Sequence, residues 1–167
     1  MEANSGRGSP IQSSHCMKHV KKSVLLWYSS HEMYGLVTDV ARYPEFLPWC
    51  DKAEILAQGD EGVTARLSLS FAGVQQAFTT RNSHTLDSEV GMALVDGPFS
   101  TLDGVWNFKP LKPPGDDDQA ACKVTFELRY EFSSRALEAV ISPVFDRIAN
   151  TFVDSFVQRA EAVYGPR

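Results

Sequence analysis

The side chains that could do chemistry in this 167-residue chain are few and scattered. Asp39, Glu45, Asp51, Asp96 and Asp103 are the carboxylates that could serve as general acid or base. Plainer roles compete with that use. Asp39 sits near a predicted helix end, Asp96 precedes the Gly97-Pro98 turn, and Asp103 points outward by strand parity. His15, Cys16 and His19 are close enough along the chain to suggest a metal site, but they fall in a polar stretch with no matching cluster elsewhere. His31 and His84 are isolated. The cysteines Cys16, Cys50 and Cys122 are odd in number and lack CxxC spacing, which fits a reducing compartment. There is no nucleophile elbow, no HExxH pair and no glycine-rich phosphate loop. Residue types therefore predict binding rather than catalysis, with no metal and no covalent cofactor.

Charge and composition narrow the partners. A net charge of −5 argues against general nucleic-acid binding, so DNA is not an expected partner, although a local basic patch stays open. The longest purely apolar run, Val24 to Tyr28, is far too short to span a bilayer. Residues 1–16 are small, polar and aperiodic, without the apolar core of a signal peptide, and read as a disordered tail. Met17 is a candidate natural start, and residues 17–167 read as one ligand-binding domain. The expected location is the cytoplasm.

The elements that must position these groups are organised around the last one. Between Ser134 and Tyr164, Leu137, Ile141, Val144, Ile148, Phe152, Phe156, Ala160 and Val163 recur at helical spacing. Asp146, Arg147, Asn150, Asp154, Gln158 and Glu161 fall mostly on the opposite side. Ser134 is a plausible N-cap, Gly165-Pro166 supplies the stop, and Pro143 predicts a bend. At 1.5 Å per residue such a helix is about 45 Å long, and only a sheet can cover an apolar stripe of that length.

The rest of the chain supplies that sheet. Lys18 to Tyr28 reads as a strand, and Ser29 to Glu32 as a capping box. A short helix follows, with Met33, Leu36, Val37 and Val40 on one face, ended by Pro44. Tyr43 to Cys50 forms a stiff apolar connector. Strands follow by period two at 53–56, 63–71, 75–84, 89–96, 102–110 and 121–132, joined by turns. This order predicts an α+β architecture, an antiparallel meander with one apolar face.

Parity assigns Leu67, Leu69, Phe71, Phe78, Met92, Leu94, Trp106, Phe108, Phe126, Leu128 and Tyr130 to the face that meets Ile141, Phe145, Ile148 and Phe152. If the two surfaces stand apart, the gap would hold an apolar guest, stabilised by about 25 cal/mol per Å² buried. Tyr130 is the expected polar handle in that gap. Phe46, Leu47 and Trp49 of the connector would act as its gate, opening onto a transient membrane surface. Alternatively these rings simply plug a filled core. On the outward parity lie Arg66, Arg81, Lys109, Lys123 and Arg129, mixed with Asp103, Glu127 and Glu131, while Lys18, His19, Lys21 and Lys22 cluster at the first strand's start.

Three stretches carry a resemblance: DVARYPEFLPWC (Asp39–Cys50), DGPFSTLDGVWNFKPL (Asp96–Leu111) and FVQRAEAVYG (Phe156–Gly165). With the element order, they resemble the START-like, helix-grip superfamily and, within it, the coenzyme Q-binding protein family that also contains the RatA-type ribosome-association toxins. The resemblance spans about residues 18–165. It implies a curved seven-stranded antiparallel sheet wrapped around the C-terminal helix, enclosing an apolar tunnel. The implied function is non-catalytic binding of ubiquinone or a related polyisoprenoid lipid in support of respiration, which would place the protein beside the inner membrane. The alternative it implies is a toxin that binds the large ribosomal subunit and blocks subunit joining. Cyclases and hydrolases share this fold, so the resemblance alone does not exclude an enzyme.

Overall fold

Apolar and polar residues alternate along seven antiparallel strands in the computed structural model, which describes residues 17–112 and 120–167. The predicted tail, with His15 and Cys16, and residues 113–119 of the acidic connection lie outside the described residues. The elements are β1 (Lys18–Leu26), α1 (Ser30–Thr38), a 3-10 turn (Val40–Glu45), β2 (Cys50–Gly59), β3 (Gly62–Phe71), β4 (Val74–Thr85), β5 (Glu89–Asp96), β6 (Phe99–Leu111), β7 (Ala121–Phe132) and α2 (Arg135–Tyr164). The sheet order is β1-β7-β6-β5-β4-β3-β2. The meander from β2 to β7 places each strand beside its sequence neighbour, and β1 closes on β7. This is the expected helix-grip arrangement, a curved sheet holding α2.

Local chemistry explains the boundaries. Ser29 accepts from the Glu32 amide at 3.0 Å while the Ser29 amide donates to the Glu32 carboxylate at 2.9 Å, the reciprocal capping box that starts α1. Ser134 caps α2 by accepting from the Leu137 amide. α2 runs through Pro143 without interruption and stops at Gly165, whose φ of 83° only glycine adopts cheaply. One expectation fails: α1 ends at Thr38, well before Pro44. Asp39 leaves the helical region with ψ of 63°, and Pro44 sits inside the following 3-10 turn.

The helix-facing residues of α2 also differ from the periodic stripe. Ile141, Val144, Phe145, Ile148, Ala149, Val153, Phe156 and Ala160 are buried. Val163, placed on that stripe by spacing, is 48% exposed. Asp146, placed on the solvent side, instead turns toward β1 and β7, as described below. The strands keep their parity, most cleanly in β7, where Cys122, Val124, Phe126, Leu128, Tyr130 and Phe132 are all buried.

Candidate functional site

The space between sheet and helix is mostly filled by rings. The Trp106 ring lies tilted 4.5 Å from Phe126 and edge-on 5.1 Å from Phe156, measured between centroids. At the other end Phe145 meets Tyr130 at 4.8 Å and Phe99 at 4.9 Å. Gly104 permits this closeness, since a Cβ there would come within 2.7 Å of the Met92 methyl and 3.1 Å of Leu128. Among the described residues a void of about 50 Å³ remains between sheet and helix. By the same measure a single water needs roughly 10–15 Å³, whereas a drug-sized guest occupies a site of about 300–1,000 Å³. The void as it stands is far smaller than a quinone would fill.

Half of the expected site surrounds the void. Trp49, Leu67, Phe78, Met92, Phe126 and Leu128 line it from the connector and sheet, and Phe145, Ile148 and Phe152 from α2. Val40, Tyr43, Ala65, Leu102 and Ala149 complete its apolar wall. Leu69, Trp106, Phe108 and Ile141 belong to the packed core around it. Phe71 and Leu94 are half-buried and pack against that core without reaching the void.

Tyr130, expected as the polar handle, does not line the void. Its buried hydroxyl donates to Asp146 Oδ1 at 2.6 Å, turned away from the void toward α2. Lys18 and Ser142 hold the other carboxylate oxygen, and Lys18 also donates to Ser142. Burial alone would raise the Asp146 carboxyl, but the hydrogen bonds from Lys18, Tyr130 and Ser142 reverse that and hold it below its usual range. The Tyr130 phenol is pushed up by burial and by the Asp146 charge. This network ties β1 and β7 to α2. The polar groups that do face the void are Thr80 and Asn82, joined by a 2.9 Å hydrogen bond from Thr80 Oγ1 to Asn82 Oδ1. Continuing the Phe78 parity along β4 reaches both Thr80 and Asn82.

The connector packs against the core beside the void. Leu47 and Trp49 are buried at 1% and 6% exposure. Phe46 is half-buried, its ring 5.2 Å from Phe156 and 5.9 Å from Tyr43, with the Arg159 guanidinium 5.0 Å above it. The carboxylates proposed for acid–base work stay apart: Asp39, Glu45, Asp51, Asp96 and Asp103 are all exposed, and none lines the void. Asp39 and Glu45 pair with Arg42. Burial pushes the Cys50 and Cys122 thiols up to about 11, which keeps them protonated and poorly nucleophilic. Among the described residues no cluster of His, Cys, Asp and Glu could hold a metal ion. No helix among them is long and apolar enough to cross a membrane.

The outer face sorts its charges by row. His19, Arg129 and Asp103 are cross-strand neighbours, and both His19 and Arg129 reach Glu127, at 2.7 and 3.4 Å. Three rows nearer the β6–β7 connection, Leu25, Lys123 and Lys109 lie side by side with no carboxylate among them. The basic cluster expected at the start of β1 is broken up, because Lys18 turns inward to Asp146. A separate groove of about 670 Å³ runs along the β2–β3 hairpin and β4–β6, where Arg81 is rimmed by Asp60, Glu61 and Glu89. That acidic rim suits no anion.

Comparison with known proteins agrees with this architecture. Residues 27–157 match the family described as polyketide cyclase / dehydrase and lipid transport. The ribosome association toxin RatA of Vibrio cholerae is 44% identical over 149 residues, covering 89% of this chain and 99% of that protein. The mitochondrial coenzyme Q-binding protein of Drosophila melanogaster is 31% identical over 147 residues, covering 87% of this chain and 59% of that protein. A START superfamily protein from Mycobacterium smegmatis superposes with a TM-score of 0.71 at 19% identity, covering 87% and 98% of the two chains.

Proposed function

The chain belongs to the polyketide cyclase / dehydrase and lipid transport family, and from that premise we propose that it acts by associating with the ribosome. The reading is non-catalytic binding to the large subunit, which obstructs subunit joining. The observation that carries it is the near-full-length similarity to a protein named for ribosome association, at 44% identity, against 31% for the coenzyme Q-binding relative. The interior supports the same choice: with about 50 Å³ between helix and sheet, the surface rather than a tunnel is left to engage a partner.

The test is sedimentation of the purified chain with separated ribosomal subunits at low and rising salt. The expected result is recovery with the large subunit, falling steadily as salt rises, as phosphate contacts require. Recovery with neither subunit at low salt overturns the reading. One observation favours a second reading, a hydrophobic guest: the void is apolar apart from Thr80 and Asn82. That reading needs α2 to move away from the sheet, and organic extraction of the natively purified protein would recover quinone or another isoprenoid lipid. An extract without one leaves the ribosome reading alone.

A further inference from the structure

Resting on the ribosome reading, we propose that the chain contacts ribosomal RNA through the corner of the outer face formed by Lys109, Lys123, Leu25 and Trp27. The two lysines meet backbone phosphates, and Trp27 stacks on an unpaired base. The register brings these residues together from β6, β7 and β1: Leu25 is opposite Lys123, and Lys123 is opposite Lys109. Trp27 follows two residues after Leu25, just past the end of β1.

Like charges directly opposite one another weaken a sheet. Lys109 and Lys123 are both exposed, and among the described residues neither makes a hydrogen bond or ion pair. Several other cations are matched, Lys18 to Asp146, Lys52 to Glu54, His19 and Arg129 to Glu127; what sets this pair apart is that each lysine stands directly opposite a like charge. Cross-strand Cβ atoms stand about 4.5–5.5 Å apart, a spacing at which one phosphate group accepts from both ammonium groups. The counter-charge this pair lacks is therefore an anion from outside the fold.

The apolar part of the corner says which anion. Leu25 is 69% exposed and Trp27 is 49% exposed, whereas Trp49 and Trp106 are buried. An exposed indole beside paired lysines suits single-stranded RNA, whose unstacked bases lie on aromatic rings while its backbone runs past cations. The adjacent row, Ser23, Thr125 and Asn107, adds neutral hydrogen-bonding groups. A chain of net charge −5 does not bind polyanions indiscriminately, so a local patch of this kind also confers selectivity.

The experiment compares four proteins in binding to large subunits and to protein-free large-subunit RNA: the wild type, the pair Lys109→Glu with Lys123→Glu, the pair Lys109→Gln with Lys123→Gln, and Trp27→Ala. Arg81→Glu, in the distant groove of the same sheet, is the control. The reversed pair should lose at least tenfold in affinity at low salt, and the neutral pair should flatten the slope of log affinity against log salt by about two. Trp27→Ala should weaken binding at every salt concentration without changing that slope. The Gln pair removes like-charge repulsion, so it remains folded even where the Glu pair does not. Wild-type affinity in all three variants overturns the patch and leaves the ribosome reading intact. Loss of binding to subunits by the variants, without any wild-type binding to the free RNA, makes the partner an acidic ribosomal protein and overturns the RNA assignment. A wild type that binds neither subunit overturns both readings.

Discussion

The two faces of the sheet use the same alternation and treat charge in opposite ways. On the helix side the one carboxylate of the Lys18–Tyr130–Ser142 network, Asp146, is hydrogen-bonded by all three. On the outer side Lys109 and Lys123 stand opposite each other with no described partner. Burial explains the difference. A charge taken out of water must be matched within the fold, whereas an exposed cation is satisfied by solvent and stays available to a partner. The inner face therefore reports how the fold is held together, and the outer face reports where it can bind.

The sharpest way to break that contrast is at Asp146. Asp146→Asn should lower stability at neutral pH by about 1–3 kcal/mol, since Lys18 loses its counter-charge in a partly buried site. Lys123→Gln, on the outer face, should change it by less than about 0.5 kcal/mol. The pH dependence carries a definite sign. The Asp146 carboxyl is held below its ordinary 3.8, so the native state binds its proton less readily than the unfolded chain. Its contribution is complete above about pH 5 and is lost as pH falls through the folded value. Urea melts at neutral pH and near pH 3 should show the wild type losing more than the Asn variant over that interval. An equal loss in both would place the acid sensitivity elsewhere, Glu32 being another carboxyl depressed by its partners.

A smaller effect sharpens the distinction between filled interior and active surface. Ala65 is 1% exposed and lines the void of about 50 Å³. Ala65→Val adds two methyl groups on a strand that favours β-branching, so thermal unfolding should shift upward by an amount equivalent to about 0.5–1 kcal/mol. Ribosome association should not change. Reduced association with intact folding would make the interior part of the function.

The smallest effect concerns Asp116, Asp117 and Asp118, which join β6 to β7 in sequence and lie outside the described residues. Asp118 is five residues from Lys123, a reach of at most about 18 Å. That is within the Debye length of about 30 Å at 0.01 M salt and beyond it at physiological salt. Replacing all three by Asn should tighten RNA association a few-fold at 0.01 M salt and leave it unchanged at 0.5 M. Equal affinity at both would mean that these carboxylates do not act on the lysine pair.

Much of this molecule is decided by local chemistry and is legible in its sequence. The period-two runs give β5 and β7 with their bounds, the Ser29–Glu32 exchange starts α1, and Ser134 and Gly165 bracket α2. These features depend on residues a few positions apart, whose interactions the chain carries wherever it goes. The position of the α1 end, the side to which Asp146 turns and the fate of the Tyr130 hydroxyl depend on groups far apart in sequence; Lys18 and Asp146 are separated by 128 residues. Parity selected the residues of the inner face, but whether their rings interlock or stand apart is a question of volume, answered by the curvature of the sheet and the approach of α2. The opposition of Lys109 and Lys123 likewise exists only through the β6–β7 register. Alternation determines which way a side chain points, and only the assembled sheet determines what it meets.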